Sequence, residues 1–196
     1  MLKRIREYFL EREAKKCTRK STFRSWDDIR SVLLLFESDY QEKNNDARSF
    51  IKMLQNEGKR VVVCCYVNKK EAETATLDNY IVLDRKKTNW LGRPHDAVVS
   101  KMLDEKFDVV MDMTATDVIA LKYVLVRANS DFRCGRSRSE TGNKLYDFVM
   151  EMPEHPIDPK TNMPRMDYDF IGKMGSQIIK YLKLIRSEEL GVRSEE

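Results

Sequence analysis

A chain of 196 residues, 41% hydrophobic and 35% charged, has the length and composition of one globular domain able to bury roughly 70% of its unfolded surface. Its longest apolar runs, such as Val61 to Val67, are strand-sized and fall short of the ~18 residues of a membrane-spanning helix. The net charge of +4 is concentrated at the start, where residues 1–20 hold eight basic residues (Lys3, Arg4, Arg6, Arg12, Lys15, Lys16, Arg19, Lys20) against three acidic ones, leaving the remainder close to neutral.

Residues 2–18 read as a basic helix, with Leu2, Ile5 and Phe9 on one stripe. Apolar residues stop at Leu10 and Glu11 follows, so no secretory segment is expected. Ser31 to Phe36 (SVLLLF) is the first strand. Asn44 or Asn45 can cap a helix whose Ala47, Phe50, Ile51 and Leu54 share one face and which stops at Gly58. Val61 to Tyr66 (VVVCCY) is continuously apolar, as a strand covered on both faces must be. Tyr80 to Leu83 is a third strand. Pro94 is expected in the first turn of a helix that pairs Val98 with Met102, Val99 with Leu103, and ends near Lys106.

Phe107 to Asp112, a fifteen-residue amphipathic run, and Asp131 to Arg136 then read as strand, helix and strand, the unit of a parallel sheet. Tyr146 to Met150 is a last strand, and residues 152–166, with four prolines, must be irregular. A final helix over 167–186 carries Ile171, Met174, Ile178, Tyr181, Leu182 and Ile185 as a stripe before a charged tail. The expected fold is a single open, doubly wound, mostly parallel α/β sheet of Rossmann-like type with helices on both faces. A basic helix over 1–22 precedes the α/β domain of 23–187, and a tail over 188–196 follows it.

In such sheets ligands bind beyond the strand carboxyl ends, where strand order reverses. If that order is 3-2-1-4-5-6, the crevice lies between Glu37-Ser38-Asp39 and Asp112-Met113-Thr114. Ser38, Asp39 and Asp112 are the natural candidates, with Asp39 or Asp112 as a base. Thr114 and Asp117 have the spacing of a capping box, and Asp112 has a structural alternative in bonding the backbone amides after it. The loop after the first strand contains no glycine, so a dinucleotide fingerprint is absent. Gly135 to Lys144 lacks Walker spacing and reads as a polar hairpin whose Arg136 and Arg138 could reach a phosphate.

Within Thr88 to His95, Trp90 offers a stacking face, and Arg93 and His95 stand at a helix start that favours anions. The bland alternative is that Trp90 plugs the core edge. Two histidines far apart in sequence, His95 and His155, give no metal spacing, and no cofactor or metal is expected. Cys64 and Cys65 point to opposite faces of a buried strand and act as small apolar residues. Cys17 and Cys134 have no base or resolving thiol beside them, and reduced thiols suit a cytoplasmic protein.

Tyr66-Val67-Asn68-Lys69-Lys70, Asn89-Trp90 with Gly92 and Pro94, Phe107 to Asp112, Leu121-Lys122-Tyr123, and Arg133 with Gly135-Arg136 together resemble an uncharacterised domain family of Bacteroidetes bacteria. The resemblance spans nearly the whole chain. It implies the same fold in a bacterial cytoplasm and no assigned activity. Residues 107–136 are also similar to part of the acceptor-binding, N-terminal half of heptosyltransferase-like glycosyltransferases, whose second, nucleotide-sugar-binding domain a chain of this length is not expected to hold.

With no complete catalytic motif, the expected function is non-enzymatic. The basic helix, through Lys3, Arg4, Arg6, Arg12, Lys15, Lys16, Arg19 and Lys20, contacts an anionic partner, RNA or a ribonucleoprotein. One alternative is a small phosphorylated or sugar-like ligand in the crevice, using Ser38, Asp39, Asp112, Trp90, Arg93, His95 and Arg136. Another is an anionic membrane surface, with Leu2, Ile5, Tyr8, Phe9 and Leu10 dipping in. A helix merely solvated and packed on the body by its first two turns is the structural alternative to both partners.

Overall fold

In the computed structural model the described residues are 2–17, 19–22, 25–38, 45–72, 79–137, 143–151, 157–158, 163–164 and 170–185. The elements in chain order are α1 (Leu2–Lys16), β1 (Ser31–Glu37), α2 (Asn45–Asn56), β2 (Arg60–Tyr66), β3 (Tyr80–Leu83), α3 (Asp96–Leu103), β4 (Lys106–Asp112), α4 (Ile119–Arg127), β5 (Asn129–Arg136), β6 (Phe148–Met150), β7 (Ile157–Asp158), β8 (Met163–Pro164) and α5 (Phe170–Leu184). Six strands form one sheet in the order β3-β2-β1-β4-β5-β6, every pair parallel. That is the doubly wound Rossmann-like order, with its reversal between β1 and β4.

The strands are apolar without alternation because both faces are covered. Val32, Leu34 and Phe36 of β1, with Val61, Val63 and Cys65 of β2, pack under α2 and α5. Leu33, Leu35, Val62 and Cys64 pack under α3 and α4. Helix α2 ends where Gly58 adopts φ +76, a conformation that favours glycine. Asp46, in the first turn of α2, accepts the amides of Ile171 (2.7 Å) and Gly172 (3.0 Å), so one helix caps the next across the face. Below the sheet, Asp108 Oδ2 accepts the amides of Arg30 and Ser31, each at 2.8 Å, and fixes where β1 begins. Buried Lys59 donates to the carbonyls of Trp26 and Ile29, each at 2.8 Å, and burial holds its pKa below the ordinary lysine value.

Three local expectations need correction. The segment after β5 does not make a hairpin: β6 runs parallel to β5, with Cys134 opposite Phe148 and Arg136 opposite Met150. A strand of three residues requires little return travel, so a short connection suffices. Thr114 and Asp117 form no capping box. Helix α4 starts at Ile119 with no side-chain cap; Thr114 bonds to Asp112 and Asp117 pairs with Lys122. Pro94 is bridged to Thr88 ahead of α3 and lies outside the helix. The proline-rich stretch expected to be irregular lies largely outside the described residues, except that β7 and β8 pair antiparallel, with Ile157 opposite Pro164.

Helix α1 adds a further layer over α4. Leu10, 5% exposed, packs with Tyr123 and Val126, flanked by Ala14, Cys17 and Ile119. The helix therefore docks by its second half; Leu2 and Ile5 in its first turns stay exposed.

Candidate functional site

At the switch point the carboxyl ends of β1 and β4 stand side by side, Leu35 in register with Asp112. Glu37 reaches across: Oε2 accepts the Ala115 amide at 3.0 Å and Oε1 the Thr116 amide at 2.6 Å. Asp112 is 1% exposed; its Oδ1 accepts the Thr114 amide (2.9 Å) and hydroxyl (2.5 Å), and its Oδ2 the Tyr146 hydroxyl at 2.5 Å. Arg136 donates from Nη1 to the Ala115 carbonyl at 3.0 Å, while its buried Nε finds no partner among the described residues. Ser38 is buried, its amide bonded to the Tyr66 carbonyl at 2.8 Å. Asp39 lies outside the described residues.

The chemistry of this arrangement is set by carboxylates already engaged within the fold. Amides exposed after a strand attract a phosphate because they are oriented donors without internal partners. Here the chain's own carboxylate holds two of them. Burial raises the Glu37 pKa from the ordinary glutamate value; the Thr116 amide opposes this, and charged Asp112 nearby adds to the rise. A carboxyl whose folded pKa exceeds its unfolded one costs stability as pH rises from the unfolded value through the folded one, because the folded state then holds the extra proton. The stability difference between Glu37→Gln and the parent is therefore expected to shift in the variant's favour from pH 4 to pH 7. Urea unfolding at several pH values measures it, and a pH-independent difference would contradict the buried, amide-bound placement of Glu37.

The loop after β3 is a second, separate structure on the same rim. Asn89 Oδ1 accepts the amides of Leu91 and Arg93, each at 3.0 Å, and Gly92 has φ +84. A Cβ on Gly92 would lie 2.4 Å from Ile119 Cγ2, so the backbone must pass α4 with no side chain there. Asp84, fully buried, accepts the amides of Ala72 (3.0 Å) and Lys87 (2.9 Å). Burial alone would raise its pKa, but those amides and the Lys87 ammonium hold it below the usual aspartate value. Trp90 does not plug the core: it is 64% exposed. Arg93 bonds to Asp96 at 3.3 Å and lies 3.9 Å from Glu13, and Arg127 bonds to Asp96 at 2.6 Å. This cluster joins α1, the loop, α3 and α4, giving Arg93 a structural role. His95 is exposed at the start of α3 and makes no side-chain cap.

The predicted residues thus form two groups. Ser38, Asp112 and Arg136 lie at the strand carboxyl ends around the switch point, where Tyr146 bonds to Asp112 and both Glu37 and Arg136 bond to the backbone of Ala115. Trp90, Arg93 and His95 gather at the β3 edge with α1. Of the basic residues, Arg6 donates to the Trp90 carbonyl at 2.9 Å, and Arg19 pairs with Asp147. Lys3 lies 3.9 Å from Glu7 and Lys16 3.5 Å from Glu13. Arg4, Arg12, Lys15 and Lys20 are exposed and make no ion pair among the described residues. Sequence reasoning missed Tyr146 and Glu13; neither carries a local signal, since each acts on residues distant in the chain.

Cys64, Cys65 and Cys134 are buried, and burial pushes Cys65 up to about 12 and raises Cys64 and Cys134 as well. Among the described residues no His, Cys, Asp and Glu group could hold a metal ion, and no helix is long and apolar enough to cross a membrane.

Strand order and switch point define a Rossmann-like α/β protein. Residues 3–163 match the family of unknown function DUF6913, and the chain belongs to that family. No curated protein matches it. Among solved structures, E. coli heptosyltransferase WaaC with ADP is similar at a TM-score of 0.45 and 11% identity, over 84% of this chain and 48% of that one. The chain spans about half the length of that structure.

Proposed function

We propose that this protein is a non-enzymatic binding protein whose basic N-terminal helix contacts an anionic partner, RNA or a ribonucleoprotein. The observation that carries the reading is the outward face of α1. At 3.6 residues per turn, Arg4, Tyr8, Arg12 and Lys15 share one side, opposite the Leu10 and Arg6 side that docks on the body. Their cations are presented by a helix that is already ordered, so little conformational entropy is lost on binding. The engagement of both Glu37 and Asp112 within the fold supports the same reading. A membrane surface is less favoured: Leu10 is spent on the α4 contact, leaving a short apolar edge of Leu2, Ile5 and Tyr8.

The test is a salt titration of binding to a labelled single-stranded RNA. The parent is expected to bind at low salt. Arg4→Glu, Arg12→Glu and Lys15→Glu together are expected to reduce the slope of log K against log salt by about 2, at ~0.7 per lost phosphate contact. Binding by the triple variant equal to the parent, or parent binding to phosphatidylserine vesicles but not to RNA, would sink the proposal.

A further inference from the structure

The parallel pairing of β2 and β3 continues past the strands and brings two basic loops together. The Arg85 amide donates to the Lys69 carbonyl at 3.0 Å and the Lys86 amide to the Lys70 carbonyl at 3.2 Å. All four side chains are exposed. Arg85 Nε is steadied by Asn68 Oδ1 at 3.1 Å and Lys86 by Glu71 at 2.6 Å, so the loops are braced without losing their positive character. Helix α1 closes one side of this rim. Arg6 grips the Trp90 carbonyl, and Arg6 and Arg85 both act on the half-buried Tyr66 hydroxyl, countering the rise that burial imposes on it. The first turn of α1 has no acidic residue, so its positive dipole end adds to the field beside Lys3 and Arg4. Trp90 lies in the same loop as Arg85 and Lys86 and is 64% exposed, whereas the only other tryptophan, Trp26, is 1% exposed.

Cations on a braced backbone, with an exposed indole on the same loop as two of them, combine the two elements that hold an unpaired strand. Charge holds the phosphates, and an aromatic face takes a base. A duplex offers the phosphates but no free base face. We infer that the rim formed by the loops after β2 and β3, with the start of α1, is a single-stranded RNA site in which Lys69, Lys70, Arg85 and Lys86 hold phosphates and Trp90 stacks on an unpaired base. The inference rests on the RNA reading of α1 and extends it to a second surface with a preference for strandedness. The Asn89-centred turn and the Gly92 passage against Ile119 fix the backbone of the loop that carries Trp90.

The probe is a labelled single-stranded RNA of about 12 nucleotides, with the duplex of the same sequence beside it. The full-length parent is expected to prefer the single strand and to show quenching of tryptophan fluorescence on binding. Trp90→Ala is expected to weaken single-strand binding by roughly 5- to 150-fold, to leave duplex binding unchanged, and to abolish the quench. Its melting temperature should match the parent's, since the exposed ring is lost and the backbone carbonyl that Arg6 uses remains. Lys70→Glu with Lys86→Glu should weaken both RNAs and flatten the salt dependence. If Trp90→Ala binds the single strand like the parent, or no quench occurs, the rim site is overturned; the α1 reading then stands if Arg4→Glu, Arg12→Glu and Lys15→Glu still weaken binding. A parent that binds neither RNA at low salt overturns the α1 reading, and the rim with it.

Discussion

Deletion of residues 2–17 is expected to lower the melting temperature by on the order of 10 °C and to promote self-association, with or without any partner. Leu10 is 5% exposed against Tyr123 and Val126, which are 2% and 1% exposed in the intact fold. Emptying a buried leucine site alone costs about 2–5 kcal/mol, and each kcal/mol shifts the transition of a chain this size by roughly 2–4 °C. The deletion also removes Glu13 from the Arg93 and Arg127 cluster and Arg6 from the Trp90 carbonyl. Thermal melts with and without α1 measure this, and an unchanged melting temperature would show that the helix is an appendage. Loss of binding on deleting the helix thus reports on folding as much as on recognition. Charge reversals on the outward face separate the two, because Arg4, Arg12 and Lys15 pair with nothing among the described residues.

Asp112→Ala is expected to cost about 3–5 kcal/mol of stability, read as a lower urea midpoint at unchanged slope. The carboxylate is 1% exposed and accepts from the Thr114 amide, the Thr114 hydroxyl and the Tyr146 hydroxyl. Removing it leaves those donors buried and unmet, at about 1–3 kcal/mol each before relaxation. Asp112→Asn should fall between, since its amide oxygen can still accept the Thr114 amide but its nitrogen cannot accept from Tyr146. A catalytic base behaves in the opposite way: replacement leaves stability unchanged or raises it, because sites kept for chemistry are seldom optimised for folding. A stable Asp112→Ala protein would return this residue to the list of candidate bases.

Much of the architecture was legible locally. Continuous apolar runs at 31–36 and 61–66 demand cover on both faces, which only a parallel sheet between helix layers supplies. The switch-point position of Ser38 and Asp112 follows from strand order once that order is a doubly wound one. The β5–β6 connection is not legible locally, because a polar glycine-containing loop has the same composition whether the chain reverses as a hairpin or returns parallel. The side of Trp90 is not legible for a related reason. An aromatic beside a turn glycine can face inward or outward, and in the folded chain it is 64% exposed.

The class of fold, the placement of the strands and the concentration of positive charge on the first helix follow from neighbouring residues, because each rests on periodicity, burial on two faces or composition. What Asp112, Glu37, Arg93 and α1 do was decided by tertiary structure alone. Glu37 meets the Ala115 and Thr116 amides, Asp112 meets Tyr146, and Glu13 approaches Arg93 and Arg127 across long stretches of chain. A carboxylate's role depends on whether donors reach it first. Distant donors are brought near only by the folded backbone.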